Sequence, residues 1–111
     1  MEKEEIEKLT KEYQSLQMQL QSLSMQKLQF SQQNEEYKDA EKELNAAMGH
    51  VYVDIGGLMV ETTKQDALIK LNERLESTQM RISIVTRQYE EATKKEQILR
   101  LKLTEELKGA K

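Results

Sequence analysis

Proline, cysteine and tryptophan are absent from this 111-residue chain, phenylalanine and histidine occur once each, and glycine occurs four times. Without proline, nothing in the chain forces a helix to break. Without cysteine there is no disulfide, no thiolate nucleophile and no thiol ligand for a metal. The single histidine, His50, lacks the partners a zinc site needs and reads as a linker residue. The opening MEKEEIEK is charged where a secretory signal needs an apolar stretch. No apolar run approaches the roughly 20 residues of a membrane span. Gly56-Gly57 lacks the spacing and the Lys of a nucleotide-binding turn, so ATP is not expected. The carboxylates fall on solvated helix faces, where nothing tunes their proton affinity, so the chain is expected not to be an enzyme. The formal charge of −3 is small and of the wrong sign for gripping phosphate backbones. These absences predict no metal, no cofactor, no membrane and no nucleic acid, and a cytoplasmic setting.

What the chain has is charge, 33% of its residues, against 37% hydrophobic and 5% aromatic. That is lean for a closed core but suits long helices with a narrow apolar seam, because Glu, Lys, Gln and Leu are good helix formers. Disorder is the competing expectation for such polarity, and periodicity decides against it. Steps of 3 and 4 from Ile6 give Leu9, Tyr13, Leu16, Leu20, Leu23, Lys27, Phe30, Asn34, Tyr37, Glu41, Leu44 and Met48. This is a heptad in which every d position is apolar or aromatic, whereas the a positions at Lys27, Asn34 and Glu41 are polar. Polar a residues cost stability and can fix register. A helix is predicted over about 2–47, ended by Gly49.

A second seam runs Leu68, Leu71, Leu75, Thr78, Ile82, Val85, Tyr89, Ala92, Glu96, Leu99, Leu103, Glu106. It predicts a helix over about 64–108, started by Thr62 or Thr63 as cap with Asp66 in the first turn, and ended by Gly109. At 1.5 Å per residue each helix is roughly 65–70 Å long. Equal arms suggest a fold-back. Charge agrees: residues 1–47 carry 6 basic and 10 acidic groups, residues 64–111 carry 11 and 8, so antiparallel packing sets opposite signs side by side. The preference is modest, since exposed pairs contribute only about 0–1 kcal/mol each.

Between the arms, two β-branched stretches flank Gly56-Gly57, the signal of a two-residue hairpin whose turn needs positive φ at both central residues. That turn pairs Ile55 with Leu58, Val53 with Val60 and Val51 with Thr62, giving one nearly all-apolar face; Tyr52, Asp54, Met59 and Glu61 form the other. A lone hairpin is marginal in water and has two open edges. Hairpins of several subunits are therefore expected to pair edge to edge around a shared core, with folding back onto the chain's own helices as the alternative. Val51, Val53, Ile55, Gly56, Gly57, Leu58 and Val60 are the expected oligomerisation residues.

The segment Val51-Tyr-Val-Asp-Ile-Gly56-Gly57-Leu-Met-Val60-Glu-Thr-Thr63, followed by a Lys- and Glu-rich amphipathic helix, resembles the prefoldins, specifically their β-type subunit. It is similar to that family's pattern of Val-Tyr, an apolar residue, Gly, then an apolar strand ending in Thr. The resemblance implies a mainly α fold, an antiparallel coiled-coil hairpin whose central β-hairpin joins an inter-subunit β-barrel, all in one domain spanning 1–111. It implies a hexamer of two α-type and four β-type subunits. It also implies an ATP-independent holdase that takes unfolded client proteins and passes them to a group II chaperonin.

Clients are expected at the free end of the coil, on Ile6, Leu9, Tyr13, Ile98, Leu99, Leu101, Leu103 and Leu107. A fold-back sets Ile6 near Leu107, Leu9 near Leu103 and Tyr13 near Leu99. Ile98 and Leu101 fall at c and f, outside the seam, where apolar groups face water; they read either as ordinary scattered surface residues or as groups suited to transient binding of non-native chains, which the tip location and the resemblance favour. Met18 and Met25, seven apart at f positions, read either as ordinary helix formers or as a soft binding surface. Two rival functions are a coiled-coil tether or scaffold, which leaves the Gly-Gly hairpin idle, and a nucleic-acid-binding helical arm, which lacks an unbroken basic stripe.

Overall fold

A computed structural model describes residues 2–109. The elements run α1 (Lys3–Ala46), β1 (Val51–Ile55), β2 (Leu58–Thr62) and α2 (Lys64–Gly109), two long helices with a two-stranded antiparallel hairpin between them. The chain forms two compact units, Leu28–Ser83, which holds the hairpin, and Met1–Lys27 with Ile84–Lys111, which holds the paired helix ends.

The helices form where the 3-and-4 spacing is unbroken, and their ends carry the groups that free backbone atoms need. Glu4 and Glu5 lie in the first turn of α1 and Asp66 in that of α2, with Lys108 in its last, each opposing the local end of the helix dipole. Of the two threonines, Thr63 is the cap: its Oγ1 accepts the Asp66 N–H at 3.1 Å, and its carbonyl accepts the Ala67 N–H at 2.9 Å. α1 has no basic residue in its last turn; instead Lys64, from the start of α2, donates through Nζ to the Asn45 carbonyl at 2.7 Å. Helix α1 stops at Ala46, and Gly49 follows with a φ of 105°. Met48, read as the last seam residue, therefore lies outside the helix and is 98% exposed. Gly109, expected to end α2, is itself helical.

Every seam position of α1 from Ile6 to Leu44 is buried or half-buried except Lys27, and every one of α2 except Tyr89. The seam is thin. The buried apolar residues among those described are Leu16, Leu23, Val85 and Ala92, joined by three polar ones, Asn34, Thr78 and Glu96.

In the hairpin unit the polar a position Asn34 finds a partner across the seam. Its Nδ2 donates to Thr78 Oγ1 at 2.9 Å, while that hydroxyl, 3.0 Å from both the Arg74 and Leu75 carbonyls, donates back into its own helix. Both side chains are buried, and the Asn34 amide N–H finds this acceptor only in this one alignment of the helices. One turn away, the Arg81 guanidinium sits 5.8 Å from the Phe30 ring centre, covering an aromatic d residue with a cation.

The hairpin pairs in the expected register, Val51 with Thr62 through Ile55 with Leu58. Gly56 and Gly57 take φ of 58° and 89°, the positive values a two-residue turn requires, and the Gly57 N–H donates to Asp54 Oδ1 at 2.9 Å, so Asp54 closes the loop from the strand before it.

Replacing Asn34 by Ala removes the cross-seam bond but leaves the Thr78 hydroxyl bonded within its helix. It is expected to lower unfolding free energy by about 1 kcal/mol, measured by urea denaturation. Replacing Gly57 by Val forces a β-branched residue to positive φ and is expected to cost at least about 1–2 kcal/mol, read in the same way.

Candidate functional site

Two groups of exposed apolar side chains fall where the sequence places binding, and each lies within one unit. The first is the hairpin. Val51, Val53 and Thr62, at its helix-proximal base, are half-buried, whereas Ile55 and Leu58 beside the turn are 54% and 71% exposed, and Val60 is exposed too. The chain's own helices thus shelter the base and leave the turn end bare. Beside the base, Ala40, Leu44, Val51, Val53, Ala67 and Leu71 contribute to an open groove of about 500 Å³, with Glu43, Lys70 and Arg74 also in its wall. The opposite face of the hairpin is organised as well. His50 Nδ1 lies 2.5 Å from Glu61 Oε1 and the His50 ring is 6.4 Å from that of Tyr52, so His50 is not a bare linker but is held against β2.

The second surface is formed by the paired helix ends. Of the eight residues expected there, Ile6, Leu9, Tyr13, Leu99 and Leu103 are half-buried in the seam, while Ile98 and Leu101 are 66% and 62% exposed and Leu107 is exposed as well. Glu106, not Leu107, takes the seam position. Ile98 and Leu99 line an open concavity of about 580 Å³ together with Lys11, Glu12, Leu16 and Lys95.

The polar chemistry of this unit was not legible from the heptad. The Tyr13 hydroxyl donates to Glu96 Oε1 at 2.9 Å, so Tyr13, expected beside Leu99, bonds one turn earlier on α2. Arg100 Nε lies 3.9 Å from the same oxygen. The expectation that every carboxylate lies on a solvated, unpaired face fails here: Glu96 is only 9% exposed and is held by a phenol from the opposite helix. A glutamate within a seam of apolar residues was the available signal.

Among the described residues, no group of three or more His, Cys, Asp or Glu side chains is placed to hold a metal ion, and no helix is long and apolar enough to cross a membrane. What the site offers is apolar surface of two kinds, one on strands with free backbone edges and one on helix flanks.

Comparison with known families makes the assignment. The family model described as "Prefoldin subunit" matches residues 7–110. The chain belongs to the prefoldin family. Its fold agrees: the crystal structure of the prefoldin beta subunit from Thermococcus strain KS-1 superimposes with a TM-score of 0.84 at 28% identity, over 93% of this chain and 92% of that one. Comparison with curated proteins returned no match. This prefoldin subunit is thus a member of a chaperone family, not an enzyme family, and family members assemble with other prefoldin subunits.

Replacing Tyr13 by Phe leaves Glu96 buried without its cross-helix donor, and is expected to cost about 1–3 kcal/mol. Pairing it with Glu96→Leu restores most of that loss. Thermal melts of the two single variants and the double variant form the cycle that checks this.

Proposed function

We propose that this prefoldin subunit works as a β-type member of a hexamer of two α-type and four β-type subunits, in the cytoplasm, as an ATP-independent holdase. In this reading the hairpin residues Val51, Val53, Ile55, Leu58 and Val60, turned by Gly56 and Gly57, enter a β-barrel shared between subunits. The paired helix ends capture unfolded proteins, which pass to a group II chaperonin.

The observation that carries the proposal is the bare turn end of the hairpin on a chain of this family. Ile55, Leu58 and Val60 keep much of their surface in water, although fully covering such side chains contributes about 1.5–3 kcal/mol each. Two strands with one free edge apiece also leave backbone donors and acceptors that neighbouring strands can satisfy. Strand addition meets both needs at once. At the helix ends, Ile98 and Leu101 fit clients that share nothing but exposed apolar groups. The tether reading leaves this hairpin surface without a use.

Replacing Ile55 and Val60 together by Lys puts two charges into the proposed shared core. It is expected to abolish co-assembly with an α-type subunit, seen as loss of the hexamer in sedimentation, with helicity retained. A hexamer of unchanged mass would sink the barrel. Replacing Ile98 and Leu101 together by Ser is expected to leave the hexamer intact and to weaken suppression of client aggregation severalfold. Unchanged suppression would move the client site elsewhere.

A further inference from the structure

Charge is distributed unevenly along α1. Between Gln14 and Asn34 there is a single charged residue, Lys27, in a chain that is 33% charged. Glutamine and serine fill the polar positions instead, among them Gln14, Ser15, Gln17, Gln19, Gln21 and Ser22. A helix stabilised only as a coiled-coil arm gains from Glu and Lys at such outward positions, through i,i+4 pairs and solubility. Their replacement by neutral amides over this length gives up both.

Within the unit of paired helix ends, this neutral stretch forms a groove. Gln17, Met18, Gln21, Ser24 and Met25 of α1 line it with Tyr89 of α2, about 490 Å³ in volume, and none of its lining side chains is charged. The other two concavities described above each carry both signs of charge in their walls. Met18 and Met25 are 72% and 62% exposed, and Tyr89 is the one α2 seam residue left exposed. An exposed aromatic lining the same groove as two bare Met side chains makes a surface of adaptable shape, since Met reshapes itself to irregular apolar partners.

The neutrality of the wall selects the occupant. A charged segment entering this groove loses hydration with no counter-charge to replace it, whereas a neutral apolar one loses little. Each glutamine amide also offers a donor pair and an acceptor, matching the unpaired N–H and C=O groups of an extended backbone. We propose that this flank of α1 is a lateral capture site for uncharged, apolar-rich segments of non-native polypeptide, separate from the Ile98 and Leu101 surface; it rests on the chaperone reading above.

The test uses the full chain assembled with its partner subunits. Two labelled peptides of about twelve residues serve as probes, one of Leu, Phe, Gln and Ser, the other with four positions changed to alternating Lys and Glu, long enough when extended to cover the groove and the neutral stretch around it. Fluorescence anisotropy is expected to show the neutral peptide bound about fivefold more tightly than the charged one, with little change between about 50 and 500 mM NaCl. Replacing Met18 and Met25 together by Glu is expected to weaken the neutral peptide about tenfold, or ~1.4 kcal/mol, while M18L/M25L retains it. Circular dichroism checks that helicity is unchanged. Neutral-peptide binding that survives M18E/M25E overturns the lateral site, with the chaperone reading intact if the wild-type complex still suppresses aggregation. A wild-type complex that neither binds the peptide nor suppresses aggregation overturns both.

Discussion

The structure depends on polar pairing across a seam too thin to align itself. Two buried leucines, a valine and an alanine supply attraction, but apolar contacts are nearly indifferent to a slip of one heptad, because the seam offers a similar surface every seven residues. A buried hydrogen bond is not indifferent. Asn34 and Thr78 satisfy each other in the hairpin unit, and Tyr13 and Glu96 do so in the unit of helix ends. A slip strands the buried Asn34 in one unit or the buried Glu96 in the other, at about 1–3 kcal/mol each. Stability comes from the leucines and alignment from the polar pairs.

The hairpin obeys the opposite logic. Its backbone register is fixed internally, by two glycines at positive φ and by Asp54 closing the turn, while its apolar side chains stay unfinished. Secondary structure is thus complete before the core is. Such an element can be held ready without being buried, provided that something anchors its base, and here the half-buried Val51, Val53 and Thr62 and the Lys64 link to Asn45 do so. The turn end is left for covering by surfaces from outside the chain.

What was legible in the sequence was whatever depends on spacing. The 3-and-4 steps gave the seams of both helices, because burial on a helix is set by angle alone, and the strand register followed from the Gly-Gly turn. What depends on side-chain reach was not legible. Tyr13 was expected beside Leu99, yet its hydroxyl lies at the end of a long rigid ring and bonds Glu96 instead. Thr62 and Thr63 were equal candidates for the cap until backbone geometry chose Thr63. Met48 kept the period but fell beyond Ala46, where the helix had already ended. His50, read as a linker, is held by Glu61, a partner eleven residues away that only the strand pairing brings close. Of the surfaces, the exposure of Ile98 and Leu101 was legible from their c and f positions, whereas Tyr89 as a groove wall was not, since a seam position predicts burial.

These facts combine into a constraint on how such a chain can vary. A residue in the seam answers to its partner across it, so a change at Tyr13 bears on the buried Glu96, whereas Thr78 keeps its own helix carbonyls when Asn34 changes. In the proposed assembly, a residue on the hairpin's bare face answers to the strand that meets it from another subunit. An outward residue of α1 answers to neither, and there composition is free to serve recognition: under the proposed function, clients without a common sequence would be met by surfaces without a fixed polar geometry. The use of Gln, Ser and Met where Glu and Lys are common elsewhere in the chain, between Gln14 and Asn34, falls on that freedom. Neutrality changes the chemistry of a helix flank without altering the seam that holds the helix in place.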